Sequence, residues 1–150
     1  GPDWWLLDPA YGAEADHRGV RDLVRDLNAV YGATPALWER DVTPDGFRWV
    51  VGDAADDNVV AFLRYDAEGV PLLAVSHFSP VVREDYRVGV PEEVPAWQEV
   101  LNTDLGRYGG SGVSGADGAA VKPEPVGWHG LPASVRVTLP PLSTVWLRPA

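Results

Sequence analysis

The clearest chemical pattern in the sequence is a glycine-rich stretch over 110–115, GSGVSG, which has the G-x-G-x-x-G spacing of dinucleotide-binding loops. Such a loop needs a helix directly after the glycines, because the pyrophosphate sits on the helix N-terminus inside a βαβ unit. Here the chain continues as ADGAAVKPEPVG, with three helix-breaking residues in the last six. We therefore interpret the stretch as a connection between strands and predict no cofactor.

The residue types that bind metals are present but lack the spacing of a metal site. The three histidines, His17, His77 and His129, have no partner at zinc-ligand spacing and form no H-E-x-x-H motif. We predict structural roles for them in a helical turn, a strand and a turn, respectively. With no cysteine there is no disulfide framework, thiolate metal site or cysteine nucleophile.

An acidic cluster, Asp53, Asp56 and Asp57, resembles a calcium loop only superficially. The ordered ligand spacing of an EF-hand and its closing glutamate are both missing. The cluster is interpreted as a solvated hairpin tip, and no metal is predicted.

Seven tryptophans in 150 residues suggest two different uses. Tryptophan rings stack on the apolar faces of sugars, which supports a carbohydrate-binding surface, and they also fill the cores of β-sandwiches. Trp49, Trp97 and Trp146 fall inside predicted strands, which favours the core. Trp4 and Trp5 precede every regular element, so these two are the candidates for contact with a sugar.

Composition limits the partners of the chain. It carries 22 acidic and 12 basic residues, a formal net charge of −10, whereas nucleic-acid binding requires a basic patch. No run approaches the roughly 18 apolar residues of a membrane span, and the N-terminus lacks a signal-peptide pattern. We expect a cytoplasmic location without nucleic-acid or membrane partners. The chain contains no methionine, so we also expect a processed chain or a fragment.

One amphipathic helix is predicted at about 17–31, with Asp16 as N-cap and Gly32 as stop. Its apolar positions follow the i, i+3, i+4, i+7 spacing of one helical face. They are Val20, Leu23, Val24, Leu27, Val30 and Tyr31. Such a stripe must be buried against something.

The chain after Asp41 has the composition of an all-β domain. Seven short β-rich runs are separated by turn residues: GFRWVV, NVVAFLRYD, VPLLAVSHF, DYRVGV, AWQEVLN, SVRVTL and STVWLR. Seven or eight short strands punctuated in this way indicate an antiparallel β-sandwich. The predicted fold class is therefore mainly β, preceded by one helix.

Taken in order, the motifs resemble the C-terminal end of bacterial glycogen branching enzymes, which are 1,4-α-glucan branching enzymes of the α-amylase superfamily. The resemblance runs from Asp3 to Pro149 through DWWLLD, HRGVRDLVRDLNAVY, PALWERD, FRWV, SHFSP, YRVGVP, EVLNTDLGRYGGSGV, PVGWHG and LPPLSTVWLRP. It implies that 1–34 is the end of a (β/α)8 barrel and 35–150 a C-terminal sandwich. The barrel would then be the burial partner of the helix, and Trp4 and Trp5 would lie near its active-site face.

The resemblance also implies where catalysis takes place. The family uses an Asp nucleophile, a Glu acid/base and a stabilising Asp, all on the barrel, and no carboxylate of this chain matches their motifs. We therefore expect no catalytic residue here, and α-glucan (glycogen or amylose) and the barrel as partners. The alternatives are a stand-alone carbohydrate-binding module, or the C-terminal domain of a related α-glucan hydrolase or maltosyltransferase.

Overall fold

The computed structural model describes residues 14–39, 46–51, 58–113 and 120–150, with side chains described from Arg18 onward. The predicted helix is present and longer than expected: α1 spans Glu14–Ala33. Asp16, predicted as its N-cap, lies within the first turn, and the helix continues through Gly32 before ending one residue later. A 3-10 turn, Pro35–Leu37, follows directly.

All seven predicted strands form. They are β1 Phe47–Val51, β2 Val59–Tyr65, β3 Pro71–His77, β4 Arg83–Val90, β5 Trp97–Asn102, β6 Ala133–Leu139 and β7 Ser143–Pro149. A second 3-10 turn, Gly106–Tyr108, lies in the loop after β5. The strands make a five-stranded antiparallel sheet in the order β1-β2-β3-β7-β5 and a two-stranded antiparallel sheet of β4 and β6.

The core lies between the two sheets and takes alternate residues from each. Leu63 of β2 and Leu147 of β7 meet Val88 of β4 and Val135 of β6, and all four side chains are fully or almost fully buried. Full burial of such a side chain contributes roughly 1.5–3 kcal/mol. The predicted mainly-β sandwich is therefore confirmed.

Strand β3 is buried on both faces, which reveals a third layer. Leu73 and Val75 belong to the core between the sheets, whereas their neighbours Leu72 and Ala74 face the other way and are also buried. The 3-10 turn after α1 contacts β2 and β3, and its Ala36 is buried there. The helical segment thus covers part of the outer face of the five-stranded sheet. Within the described residues, no helix has the length and apolarity needed to cross a membrane.

Candidate functional site

The glycine-rich loop after β5 closes on the buried carboxylate of Asp104. One carboxylate oxygen accepts a hydrogen bond from the backbone N–H of Ser111 (3.0 Å), and the other accepts one from the Ser111 hydroxyl. The backbone carbonyl of Asp104 accepts a hydrogen bond from the N–H of Gly112 (2.9 Å). Because these amides already have acceptors inside the loop, they do not form a phosphate cradle.

The glycines of this loop permit close backbone contact and left-handed backbone. A Cβ on Gly110 would lie 2.2 Å from the carbonyl oxygen of Asp104, so only glycine fits there. Gly109 and Gly112 have φ angles of 84° and 79°. Up to Val113, where the described part of the loop ends, the structural interpretation is confirmed.

Helix α1 packs on the same loop. A Cβ on Gly19 would lie 2.5 Å from the carbonyl group of Tyr108, so the helix backbone rests directly on the loop. The Tyr108 hydroxyl donates a hydrogen bond of 2.6 Å to the Asp26 carboxylate, and the Arg107 guanidinium lies 3.4 Å from that carboxylate.

The pKa of each partner of this hydrogen bond is shifted from its ordinary value. The bond from Tyr108 lowers the pKa of Asp26 below its ordinary value. Burial raises the pKa of Tyr108, and its hydrogen bond to Asp26 raises it further. Docking of the helix therefore favours an ionised Asp26 and a neutral Tyr108.

The predicted apolar stripe of α1 is only partly buried by this docking. Leu23, Leu27 and Val30 are half-buried, but Val20, Val24 and Tyr31 are 59%, 50% and 46% exposed. Trp38 is also 42% exposed, and its indole N–H donates to the carbonyl oxygen of Tyr31 (3.0 Å). We call Val20, Val24, Tyr31 and Trp38 the apolar ridge.

The expectation that Trp49 belongs to the core is wrong. Trp49 is 57% exposed and lies against Phe47 and Phe62, with ring centroids 5.0 and 6.1 Å away. It lies on edge strand β1, opposite Phe62 and on the face away from the core. Trp97 is fully buried as expected, and Trp146 is partly buried. Trp4 and Trp5 lie outside the described residues.

Two histidines have the structural roles that the sequence predicts. The buried His77 donates from Nδ1 to the carbonyl oxygen of Pro140 (2.9 Å), and His129 accepts at Nδ1 from the N–H of Gly89 (3.1 Å). The side chain of His17 lies outside the described part. Across 14–39, 46–51, 58–113 and 120–150, no group of three His, Asp or Glu residues could hold a metal ion. The acidic cluster at 53–57 lies outside these ranges.

Another exposed tryptophan, Trp128, lines a cleft that no sequence pattern indicates. The cleft has a volume of about 370 Å³ and lies beside the outer face of β4. Its lining consists of Arg83, Glu84, Asp85, Tyr86, Arg87, Trp128 and His129. The sequence predicts a turn at His129, where glycine follows in PVGWHG, but it does not predict the cleft beside it.

Comparison with protein families connects this fold to a known group. Residues 49–150 match the family described as alpha amylase, C-terminal all-beta domain. The chain belongs to this family. The match includes most of β1 and all six of the following strands, so it covers both sheets of the sandwich.

The most informative relatives of this family member are branching enzymes. The chain is 72% identical over its full length to 1,4-alpha-glucan branching enzyme GlgB 1 of Streptomyces avermitilis, of which it covers 18%. It is 55% identical over 98% of its length to 1,4-alpha-glucan branching enzyme GlgB of Rubrobacter xylanophilus, of which it covers 19%. The chain thus spans about a fifth of the length of these relatives.

A solved structure supports the fold alone. The crystal structure of alpha-amylase from H. orenii matches 86% of this chain and 20% of that one, with a TM-score of 0.50 and 16% identity. The similarity to these relatives confirms the resemblance to branching enzymes that the motifs indicated. The family match and the solved structure confirm the α-amylase-type sandwich fold.

Proposed function

We propose that the chain is the C-terminal part of a 1,4-α-glucan branching enzyme. The parent would cut an α-1,4-glucan, hold the chain covalently and transfer it to a 6-hydroxyl to form an α-1,6 branch. The observation that carries this proposal is the 72% identity over all 150 residues to an enzyme of that name. In the same proposal the parent acts on glycogen or amylose, in the cytoplasm, in glycogen biosynthesis.

The chain's own share of the function is structural. A retaining transfer needs two carboxyl groups about 5–5.5 Å apart across the scissile bond. The family resemblance assigns both groups to the barrel, so we propose no catalytic residue within 1–150. Residues 1–34, including α1, would complete the barrel, and residues 35–150 would form the C-terminal sandwich.

The apolar ridge supplies the surface on which the rest of the barrel would pack. The docked face of α1 is fixed by the Asp26–Tyr108 hydrogen bond, whereas the exposed side carries Val20, Val24 and Tyr31. Burial of a Val or Leu side chain is worth about 1.5–3 kcal/mol, so covering this ridge would be strongly favourable. We propose the catalytic barrel as the partner that covers it.

The test is to express the full-length gene and to assay new α-1,6 linkages on amylose by debranching and chain-length analysis. We expect branching by the parent and none by the 150-residue chain, because the family resemblance places the carboxylate pair on the barrel. Hydrolysis without new branches would instead indicate a related hydrolase, and maltosyl transfer a maltosyltransferase. A natural gene encoding only about this length would favour a stand-alone binding module.

A further inference from the structure

Trp128 flanks a two-residue hairpin turn that two backbone hydrogen bonds close. Its N–H donates to the carbonyl oxygen of Leu131 (3.0 Å), and the N–H of Leu131 donates back to the carbonyl of Trp128 (2.9 Å). The two central residues, His129 and Gly130, have φ angles of 51° and 74°. Positive φ at both positions is typical of the type I′ turn.

This turn lies directly on strand β4. A Cβ on Gly89 would be 2.1 Å from the carbonyl oxygen of Trp128, so the absence of a side chain allows the contact. The N–H of Gly89 also donates to Nδ1 of His129. The pairing of β4 with β6 is irregular between Arg83 and Tyr86, and Asp85 in this bulge has a φ of 51°. The bulge and the turn form the two walls of the cleft.

The charges in the cleft balance, although the chain as a whole carries −10. Two guanidinium groups, from Arg83 and Arg87, line it together with two carboxylates, from Glu84 and Asp85. Such a lining offers hydrogen-bond donors and acceptors to a neutral ligand without favouring a phosphate or a free cation. Sugars, which are uncharged and rich in hydroxyl groups, are the ligands that match it.

Arg87 is held in place beside the tryptophan. One of its terminal nitrogens donates to the Ser134 hydroxyl (2.7 Å), and the other lies 3.6 Å from the Glu124 carboxylate. Its guanidinium carbon lies 5.8 Å from the centroid of the Trp128 ring. Trp128 is nevertheless 46% exposed, so much of the indole is available to a ligand.

We propose that this cleft is a glucan-binding subsite in which one glucose ring stacks on Trp128 while neighbouring hydroxyls bond to Glu84, Asp85 and Arg87. The volume of about 370 Å³ falls in the range of small-ligand clefts, and the Trp128 ring supplies an aromatic platform among polar side chains. The α-1,4-glucan class of the ligand rests on the proposed function. The subsite binds polymer at the sandwich and takes no part in the chemistry.

The test is titration of the 150-residue chain with maltoheptaose, followed by NMR of backbone amides and indole N–H groups. Within the described residues, we expect the shifts to be confined to 83–87 and 127–130 and to the Trp128 indole. Trp128→Ala should weaken binding by about tenfold, as expected for loss of a ring-stacking contact. Trp38→Ala is the matched control, because Trp38 is exposed to a similar degree but lies on the opposite, helical layer; it should leave the affinity unchanged. A thermal melt establishes that both variants are folded.

The outcomes separate this proposal from the proposed function. Absence of shifts in the wild-type chain, shifts confined to Trp49 and its ring neighbours Phe47 and Phe62, or equal affinity of Trp128→Ala would each overturn the subsite, even if the parent makes α-1,6 branches. Shifts at Trp128 together with a parent that makes no branches would support the subsite and overturn the branching assignment instead.

Discussion

Two glycines of helix α1 have opposite surroundings, and this difference tests whether the helix is docked. Alanine favours a helix over glycine by up to about 1 kcal/mol. At Gly32 nothing lies within 4 Å of an added Cβ, so Gly32→Ala should raise the melting temperature. At Gly19 the Cβ would meet the Tyr108 carbonyl group at 2.5 Å, so Gly19→Ala should lower it.

The comparison needs both variants in the same thermal or urea melt. The sign of the Gly19 effect is informative, because an undocked helix would gain stability from alanine at both positions. Two stabilising substitutions would therefore show that α1 does not rest on the loop in solution.

The Asp26–Tyr108 hydrogen bond should make helix docking depend on pH. Because the pKa of Asp26 is lowered in the folded state, its contribution is present above the unfolded value, about 4, and is lost as the pH falls through the folded value. Tyr108→Phe removes the donor, so it should lower the melting temperature at pH 7. The difference from wild type should shrink in acid.

Alkaline pH should weaken the same contact for the opposite reason. The pKa of Tyr108 is raised in the folded state, so its contribution is present below the unfolded value, about 10, and is lost as the pH rises through the folded value. A stability difference between wild type and Tyr108→Phe that stays constant from about pH 3 to above about pH 10 would contradict the role of this hydrogen bond.

At the scale of the element, helix α1 presents two different apolar surfaces. Leu23 and Leu27 are half-buried against the rest of the chain, whereas Val20 and Val24 belong to the exposed ridge. Leu23→Ser with Leu27→Ser should therefore lower the melting temperature of the 150-residue chain, since full burial of one such side chain is worth roughly 1.5–3 kcal/mol. Val20→Ser with Val24→Ser should change it little.

In the full-length parent, substitutions in the ridge should have a larger effect on stability than they have in the isolated chain. If the barrel covers Val20 and Val24, their replacement by serine should destabilise the parent clearly more than it destabilises the isolated chain. Differential scanning calorimetry of both proteins, with the same pair of variants, measures this difference. Equal and small effects in the two proteins would show that the ridge stays exposed and that the barrel docks elsewhere.

At the scale of the whole molecule, the net charge predicts that the chain does not bind DNA. A net charge of −10 opposes counterion-driven binding to DNA, which depends on basic side chains. Fluorescence anisotropy with a labelled duplex at about 50 mM salt, where such binding is strongest, should show no saturable signal. Binding that weakens steeply with added salt would overturn this expectation.

The sequence by itself determined the elements and the family. Strand positions follow from local chemistry: apolar alternation, as in Val135, Val137 and Leu139, and turn residues such as Gly69, which has a φ of 81°. The 3.6-residue period placed α1, and the ordered motifs were specific enough to indicate branching enzymes. These signals are local or additive along the chain, so they can be read without knowing which elements meet in space.

Only the tertiary structure decided which surfaces are covered. Helical periodicity indicated an apolar stripe but not that Gly19 would meet Tyr108, 89 positions further along the chain. Trp97 and Trp49 both lie in strands, yet one is fully buried and the other exposed on an edge strand. The cleft beside Trp128 is lined by residues of β4, about 40 positions earlier in the chain. Burial depends on which layer lies above a residue, and that layer is set by contacts between segments distant in sequence.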